Sequence, residues 1–461
     1  MVTTVGNNVF GVLRSRFSGA LIRPDDSEYD ETRTVFNAMV DKHPALIARC
    51  HSANDVAAAV DCARECGLEL AIRSGGHAVT GASSSDGGLV IDLRPMNQVA
   101  VNPARRLARV GAGATWGDFD AAAQEFGLAT TGGRVSTTGV SGLTLGGGSG
   151  WLERKYGLAC DNLVSAEVVT ADGRVVTASE TVNPDLFWAL HGGGGNFGVV
   201  TSLEFRLHPV GPTVLAGLML WPGAAGPELL RFYREFAESA PDELGSAVGF
   251  LTGPPAEFVP RHLRGMICAA VVVCFCGPVE EGETVLKALR TFGPPDADLV
   301  QPMPYTALQS MLDDANRAGL RNYWTADHLD ELNDEAIDTF AEQAFRMGSP
   351  HSQCLLFPWG GAVARIGEDA TPLARRSSAW VAHPMAMWTE PDEDAEHTGW
   401  ARDFSAAMRP FVSGGVYLNF IGDEGEDRIR AAYGTHHGRL RQIKAKYDPD
   451  NLFHLNQNIT P

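Results

Sequence analysis

RSGGHAVTG, residues 73–81, places a histidine directly behind a glycine pair, at the end of the apolar run Leu68–Ile72. An apolar run closed by glycines reads as a strand entering a tight turn. Glycine lets a backbone approach a ligand closely. His77 at such a turn is a candidate nucleophile or ligand.

Further glycine turns lie around it: Gly111 and Gly113, Gly132-Gly133, Gly139 to Gly150, and Gly192 to Gly198. Five such turns within one region suit backbone amides converging on one large anionic cofactor, because nests of N–H groups hold phosphate without cationic side chains. A nicotinamide-type Rossmann unit is disfavoured. Gly193, Gly195 and Gly198 fit G-x-G-x-x-G, but a helix precedes them and a strand follows, the reverse of the required order. VGAGATWG (110–117) has the right order but the wrong last spacing, with no acidic residue ending a strand about 20 residues on. No P-loop, HExxH or GxSxG motif occurs.

The 461-residue chain is long enough for two or three domains. Its net charge of −19 argues against nucleic acid or an anionic membrane as partner. Its eight cysteines form no zinc-type spacing and suggest no disulfide framework; Cys62 and Cys66 are expected to pack on a helix. The N-terminal stretch shows no basic start followed by a long apolar run, and no membrane-length apolar segment occurs. A cytoplasmic enzyme is the resulting expectation.

Residues 1–212 alternate short strands, turns and helices. NDVAAAVDCARECG reads as a helix capped by Asn54, and Asp172-Gly173 as a hairpin turn. Residues 213–415 read as a second domain. Residues 416–461 return with one long helix, EDRIRAAYGTHHGRLRQIKAKYD, and an extended tail.

Four stretches then carry a resemblance: RSGGHAVTG, STTGVSGLTLGGGSGWLERKYGLACDNL (136–163), NPDLFWALHGGGGNFGVVTSLEF (183–205) and YDPDNLFHLNQNI (447–459). Together they resemble the berberine bridge enzyme-like branch of the vanillyl-alcohol oxidase flavoproteins, and within it the 6-hydroxy-D-nicotine oxidase-like subgroup. The resemblance implies an α+β fold. A two-lobed, PCMH-type FAD-binding domain would be built from residues 1–212 and the tail 416–461. A substrate domain, 213–415, would have an antiparallel sheet covered by helices.

It also implies that His77 bonds covalently to the flavin 8α-methyl group, a reasonable role for a neutral imidazole nucleophile. Arg73, Ser74, Gly75, Gly76, Thr138, Gly139, Gly142, Gly147, Gly148, Asp161, Asn162, Asn196, Gly198, Val200, Asn456 and Asn458 are the other expected cofactor residues. Many relatives add a cysteinyl bond at the position of Val135, which valine cannot make, so the flavin is expected to be monocovalent. Cys160 is a different position. Small Thr138 stands at the family's oxygen gate and implies access for oxygen.

Four residues are catalytic candidates. Tyr417 and Asn419 in GGVYLNF share a side if the segment is a strand. Relatives place a tyrosine base where this chain has Phe420, which cannot take a proton. His383 in WVAHPMAMW lies five residues before Trp388, where alignment puts other relatives' Glu or Gln. It is a candidate general base on the ground that histidine titrates near neutrality. Gln353 lines the same cavity by parity with Phe357.

The expected activity is hydride removal from a small secondary-metabolite alcohol, amine or ring carbon, with oxygen as acceptor and peroxide released. A flavin-dependent oxygenase acting on a polyketide-like substrate, and a noncatalytic flavin- or ligand-binding protein, stand as alternatives. No metal is expected, and the chain would be a monomer or homodimer.

Overall fold

A computed structural model describes residues 11–422 and 424–461. The leader-free reading of the N-terminal stretch falls largely on residues 1–10, outside the described residues.

The glycine-histidine turn follows strand Leu70–Arg73, which pairs in parallel with Leu89–Asp92; that strand pairs in parallel with Leu46–Arg49. Ala20–Ile22 completes this four-stranded sheet antiparallel to Leu46–Arg49. The strands are short and nearly all buried, as parallel strands covered on both faces must be. Helix Ala53–Cys66 is capped by Ser52, whose hydroxyl accepts the Asp55 N–H; Asn54 lies one residue inside the helix and does not cap it. Gly67 ends the helix at φ 62°, a left-handed conformation that suits glycine.

A second, antiparallel sheet has the order Val99–Asn102, Leu107–Gly111, Val199–Arg206, Leu163–Val169, Val175–Ser179. Its last pair is the hairpin around Asp172-Gly173.

The strands from Thr213 to Trp388 form one nine-stranded antiparallel sheet. At its functional end Gln353–Pro358 pairs with Trp380–Trp388, with Leu355 opposite His383 and Gln353 opposite Met385. Side chains alternate along both strands. Cys354, Leu356, Ala382 and Ala386 point into a core shared with helices Gly226–Ser239, Asp334–Ala344 and Asp394–Met408. Gln353, Leu355, Phe357, His383 and Met385 point the other way, toward the first two sheets. A one-residue slip would exchange the two sets.

The C-terminal segment departs from expectation in two places. The long helix is two, Glu426–Tyr433 and His437–Tyr447, broken at Gly434 with φ 49°. GGVYLNF is not a strand: Leu418–Phe420 is a 3-10 turn. The tail beyond Tyr447 is extended without strand pairing. Among the described residues no helix is long and apolar enough to cross a membrane.

Candidate active site

A cavity of about 360 Å³ lies between the glycine loops and the exposed side of the large sheet. Its loop wall includes Ser74, Gly75, Gly76, His77, Thr138, Gly139, Gly142, Gly198 and Val200. Its sheet wall includes Gln353, Phe357 and His383, with Asn419 and Phe420 beside them and Asn456 arriving from the tail.

Two loops meet backbone to backbone. A Cβ on Gly75 would lie 2.4 Å from the amide nitrogen of Gly139, and the converse distance is also 2.4 Å. No larger residue fits either position. Gly142 and Gly195 are different: a Cβ there would meet nothing in the protein and would stand in the cavity. Among the described residues, the N–H groups of Gly75, Gly76, His77 and Ala78 find no acceptor within the protein. A run of free amides in a glycine turn is an anion cradle. The buried oxygens of Ser83 and Asn456, both on cavity-lining residues, also lack partners. Free amides, bare glycines and orphaned oxygens suit a diphosphate-bearing nucleotide, so FAD fits this wall.

His77 stacks on Phe36 at 4.2 Å and 20°, and its Nε2 lies 3.0 Å from the Thr137 hydroxyl. Burial lowers its pKa to about 4, so the imidazole is uncharged at neutral pH with a lone pair to share.

His383 is buried among aromatic residues, with one edge of its ring on the cavity. Its Nδ1 is 2.8 Å from the carbonyl of Thr325, and its ring lies parallel to Phe420 at 4.2 Å and 8°. Burial pushes its pKa down to about 3. This corrects the expectation of a base poised near neutrality: forming an imidazolium here means placing a charge in a dry, aromatic site.

Tyr417 does not line the cavity. Its hydroxyl accepts the N–H groups of Gly148 and Ser149, each at 2.7 Å, and the Asn419 side-chain amide at 3.1 Å. Burial raises its pKa well above the usual phenol value. It pins the Gly147–Gly150 turn instead of offering a hydroxyl to substrate. Asn419 reaches the cavity and ties Tyr417 to the Leu143 carbonyl. The 3-10 turn therefore brings the two residues together without a strand.

Seven expected cofactor residues stand behind the lining. Arg73 is buried and donates to the carbonyls of Thr32, Arg33 and Ser83. Gly147 and Gly148, at φ 113° and 90°, pack against Leu373 and Ala159. Asp161 is clamped by Arg376. Asn162 donates to the Tyr156 and Leu158 carbonyls and meets His208 at 2.6 Å. Asn196 bonds Gly193, Gln457 and Ile459. Asn458 carries a buried, unpartnered oxygen but does not line the cavity.

Among the lining residues that carried no sequence signal are Phe36, Trp324 and Arg134. Arg134 pairs with Glu153 at 2.9 Å and lies over the Phe357 ring at 4.3 Å.

Comparison with known proteins identifies the family. Residues 44–179 match the family described as FAD binding domain, and residues 416–460 the family described as berberine and berberine like. The (R)-6-hydroxynicotine oxidase of Paenarthrobacter nicotinovorans is 33% identical over 457 residues, covering 96% of this chain and 97% of the relative. The chain belongs to the berberine bridge enzyme-like FAD-linked oxidoreductases.

Other members agree in extent. An uncharacterized FAD-linked oxidoreductase of Bacillus subtilis, YgaK, is 31% identical over 97% of this chain and 98% of its own. The FAD-dependent monooxygenase tpcD of Cochliobolus heterostrophus is 29% identical over 91% of this chain and 84% of its own. The crystal structure of 6-hydroxy-D-nicotine oxidase from Arthrobacter nicotinovorans superposes with a TM-score of 0.85 at 31% identity, covering 96% of this chain and 98% of that one. In this berberine bridge enzyme-like chain a glycine-rich wall of backbone faces a wall of sheet side chains across the cavity.

Proposed function

We propose that this berberine bridge enzyme-like protein is an oxidase that carries FAD on His77 as a single covalent 8α-histidyl bond. It takes a hydride from a small alcohol, amine or ring carbon and passes the electrons to oxygen, releasing peroxide. Residues 1–212 with 416–461 form the FAD-binding part, and 213–415 the substrate-binding part.

FAD, when bound, supplies a two-electron acceptor that oxygen can reoxidise. The chain's own residues do the rest. The Gly75–Ala78 amides hold the diphosphate, and Gly142 and Gly195 leave room for the nucleotide. Phe36 and Thr137 hold the His77 ring in place, and burial keeps it in the nucleophilic, uncharged form. Val135, which lines the cavity, offers no second attachment point. Thr138, also in the lining, leaves oxygen a way in.

The observation that carries this reading is the uncharged His77 beside four unpartnered backbone amides. The intact mass of the denatured protein tests it. A mass one FAD above the polypeptide, reverting to the polypeptide mass in His77→Ala, is expected. An unmodified wild-type mass would overturn the covalent assignment.

A flavin-dependent oxygenase is the second reading, favoured by Phe420, which supplies no hydroxyl base at the sheet wall. One peroxide per substrate turned over supports the oxidase. Oxygen recovered in product without peroxide supports the oxygenase.

A further inference from the structure

The sheet wall has a chemistry of its own. Among the described residues, Arg134 is the only cationic group in the lining besides the histidines, and no carboxylate lines the cavity. The Arg134 guanidinium is already matched by Glu153. A cationic ligand would find no counter-ion there, and an anion would find a cation whose charge is already balanced. What remains is aromatic surface from Trp324, Phe357 and Phe420, with His383 among them.

His383 has a defined hydrogen-bonding state. A carbonyl only accepts, so Nδ1 must carry the proton that it donates to Thr325. Nε2 is then a bare acceptor. It has no partner among the described residues and is not sealed within the protein, so its lone pair opens into the cavity. Phe420 lies flat on one side of the ring, and Trp324 meets it edge-on at 5.6 Å and 88°. The direction of the lone pair is therefore fixed. The Gln353 side chain stands in the same lining, opposite Met385 on the neighbouring strand.

We propose that His383 Nε2, framed by Phe420, Phe357 and Trp324, is the recognition point for an uncharged, planar ring bearing an O–H or N–H donor, and that His383 orients this donor as a neutral acceptor. This rests on the reading above that the loop wall holds the flavin. It assigns the sheet wall to substrate and gives the substrate a class. His383 does not have to gain a proton for this role, which agrees with the burial that disfavours its charged form. A planar ring would lie among the three aromatic residues in offset or edge-on contact.

The test is calorimetric titration of the flavin-loaded protein with 2-naphthol, 2-methoxynaphthalene and N-methylquinolinium. The first has a donor, the second lacks it, and the third is a planar cation. Wild type should bind 2-naphthol about tenfold more tightly than its methyl ether, the ratio expected of one well-placed hydrogen bond, and the cation least. In His383→Leu the naphthol advantage should shrink to about twofold while methoxynaphthalene binding is kept. In His383→Gln, whose carbonyl can accept, part of the advantage should return. The wild-type ratio should stay constant from about pH 5 to about pH 8, because no histidine titrates in this role.

Equal affinity for the two naphthalenes in wild type, an advantage that survives His383→Leu, a ratio that titrates near pH 6.5, tighter binding of the cation, or no binding of any probe would each overturn the proposal. Flavin absorbance is read on the same samples. A preparation with no flavin would count against the cofactor reading, while the calorimetric comparison would still decide the role of His383.

Discussion

Lys444 and Asp448, one helical turn apart, form an ion pair of 2.6 Å in which neither side chain is exposed. The Lys444 ammonium also donates to the carbonyls of Asn196 and Phe453, and Asp448 accepts the N–H groups of Leu452 and Phe453. Every donor and acceptor of the pair is occupied by the glycine loop or by the tail. The pair ties Leu452 and Phe453 to the loop at Asn196, beside the Asn196 and Gly195 contacts that hold Asn456 and Gln457.

Breaking one half of it leaves a buried charge without a partner, which costs about 3–5 kcal/mol. Lys444→Met should therefore lower the melting temperature by at least about 5 °C. It should also lower the flavin-to-protein ratio of purified material, since Asn456 and Gln457 lose their support. A melting temperature within a degree or so of wild type would refute this role for the pair.

Thr137 is the only side chain among the described residues that hydrogen-bonds His77. Thr137→Val keeps the shape and removes the hydroxyl. The fraction of protein carrying covalent flavin, read from intact mass, should fall severalfold, and Thr137→Ser should restore it. Full incorporation in the valine variant would show that the stack on Phe36 is enough to position the ring.

Gly142 sits in helix Val140–Leu145 with open space on its side-chain face. Alanine is the better helix former by about 0.5–1 kcal/mol. Gly142→Ala should leave the flavin-free protein as stable as wild type or slightly more so, yet reduce flavin loading because its methyl group stands in the cavity. The two readouts moving in opposite directions would separate a cofactor glycine from a folding glycine. Loss of both together would mean the position is structural.

Buried histidines, His77 among them, set an acid limit. Burial holds His208 and His328 at about 4 and His383 at about 3, against an ordinary value of 6.5. Between these values the unfolded chain is protonated and the folded chain is not. The unfolded state thus binds more protons at these histidines, and their contribution to stability falls as pH falls from about 6.5 toward 4, opposed in part by buried Asp120, whose carboxyl is held up at about 7. Chemical denaturation at about pH 7 and pH 5 measures the slope. His328→Asn should reduce it, whereas an unchanged slope would show that His328 is not among the groups responsible.

Much of this was legible from residue order. Leu70–Arg73 ends where the glycine pair begins, because an apolar run and a glycine turn are both local signals. The hairpin at Asp172-Gly173 and the helix stop at Gly67 are local in the same sense. GGVYLNF misled because its tyrosine and asparagine have the period of a strand, but no neighbouring strand pairs with it, and Tyr417 instead finds the Gly148 and Ser149 amides 269 and 268 positions away. Ser52 and Asn54 are both good caps, and only the position of the first turn chooses between them. Phe36 and Trp324 were invisible as site residues because an aromatic side chain against a cavity and one in a core look alike in one dimension. His383 was found, but its state was not: the Thr325 carbonyl that fixes its tautomer lies 58 positions away.

The tail that Lys444 and Asp448 hold in place has a temporal meaning. His77 is made early and Gln457 late, yet both line one cavity. A ribosome that has released the first sheet has released only half a binding site. On the reading proposed above, a chain clipped before residue 455 would present His77 in a cleft that lacks the part of its wall made by Leu455, Asn456 and Gln457.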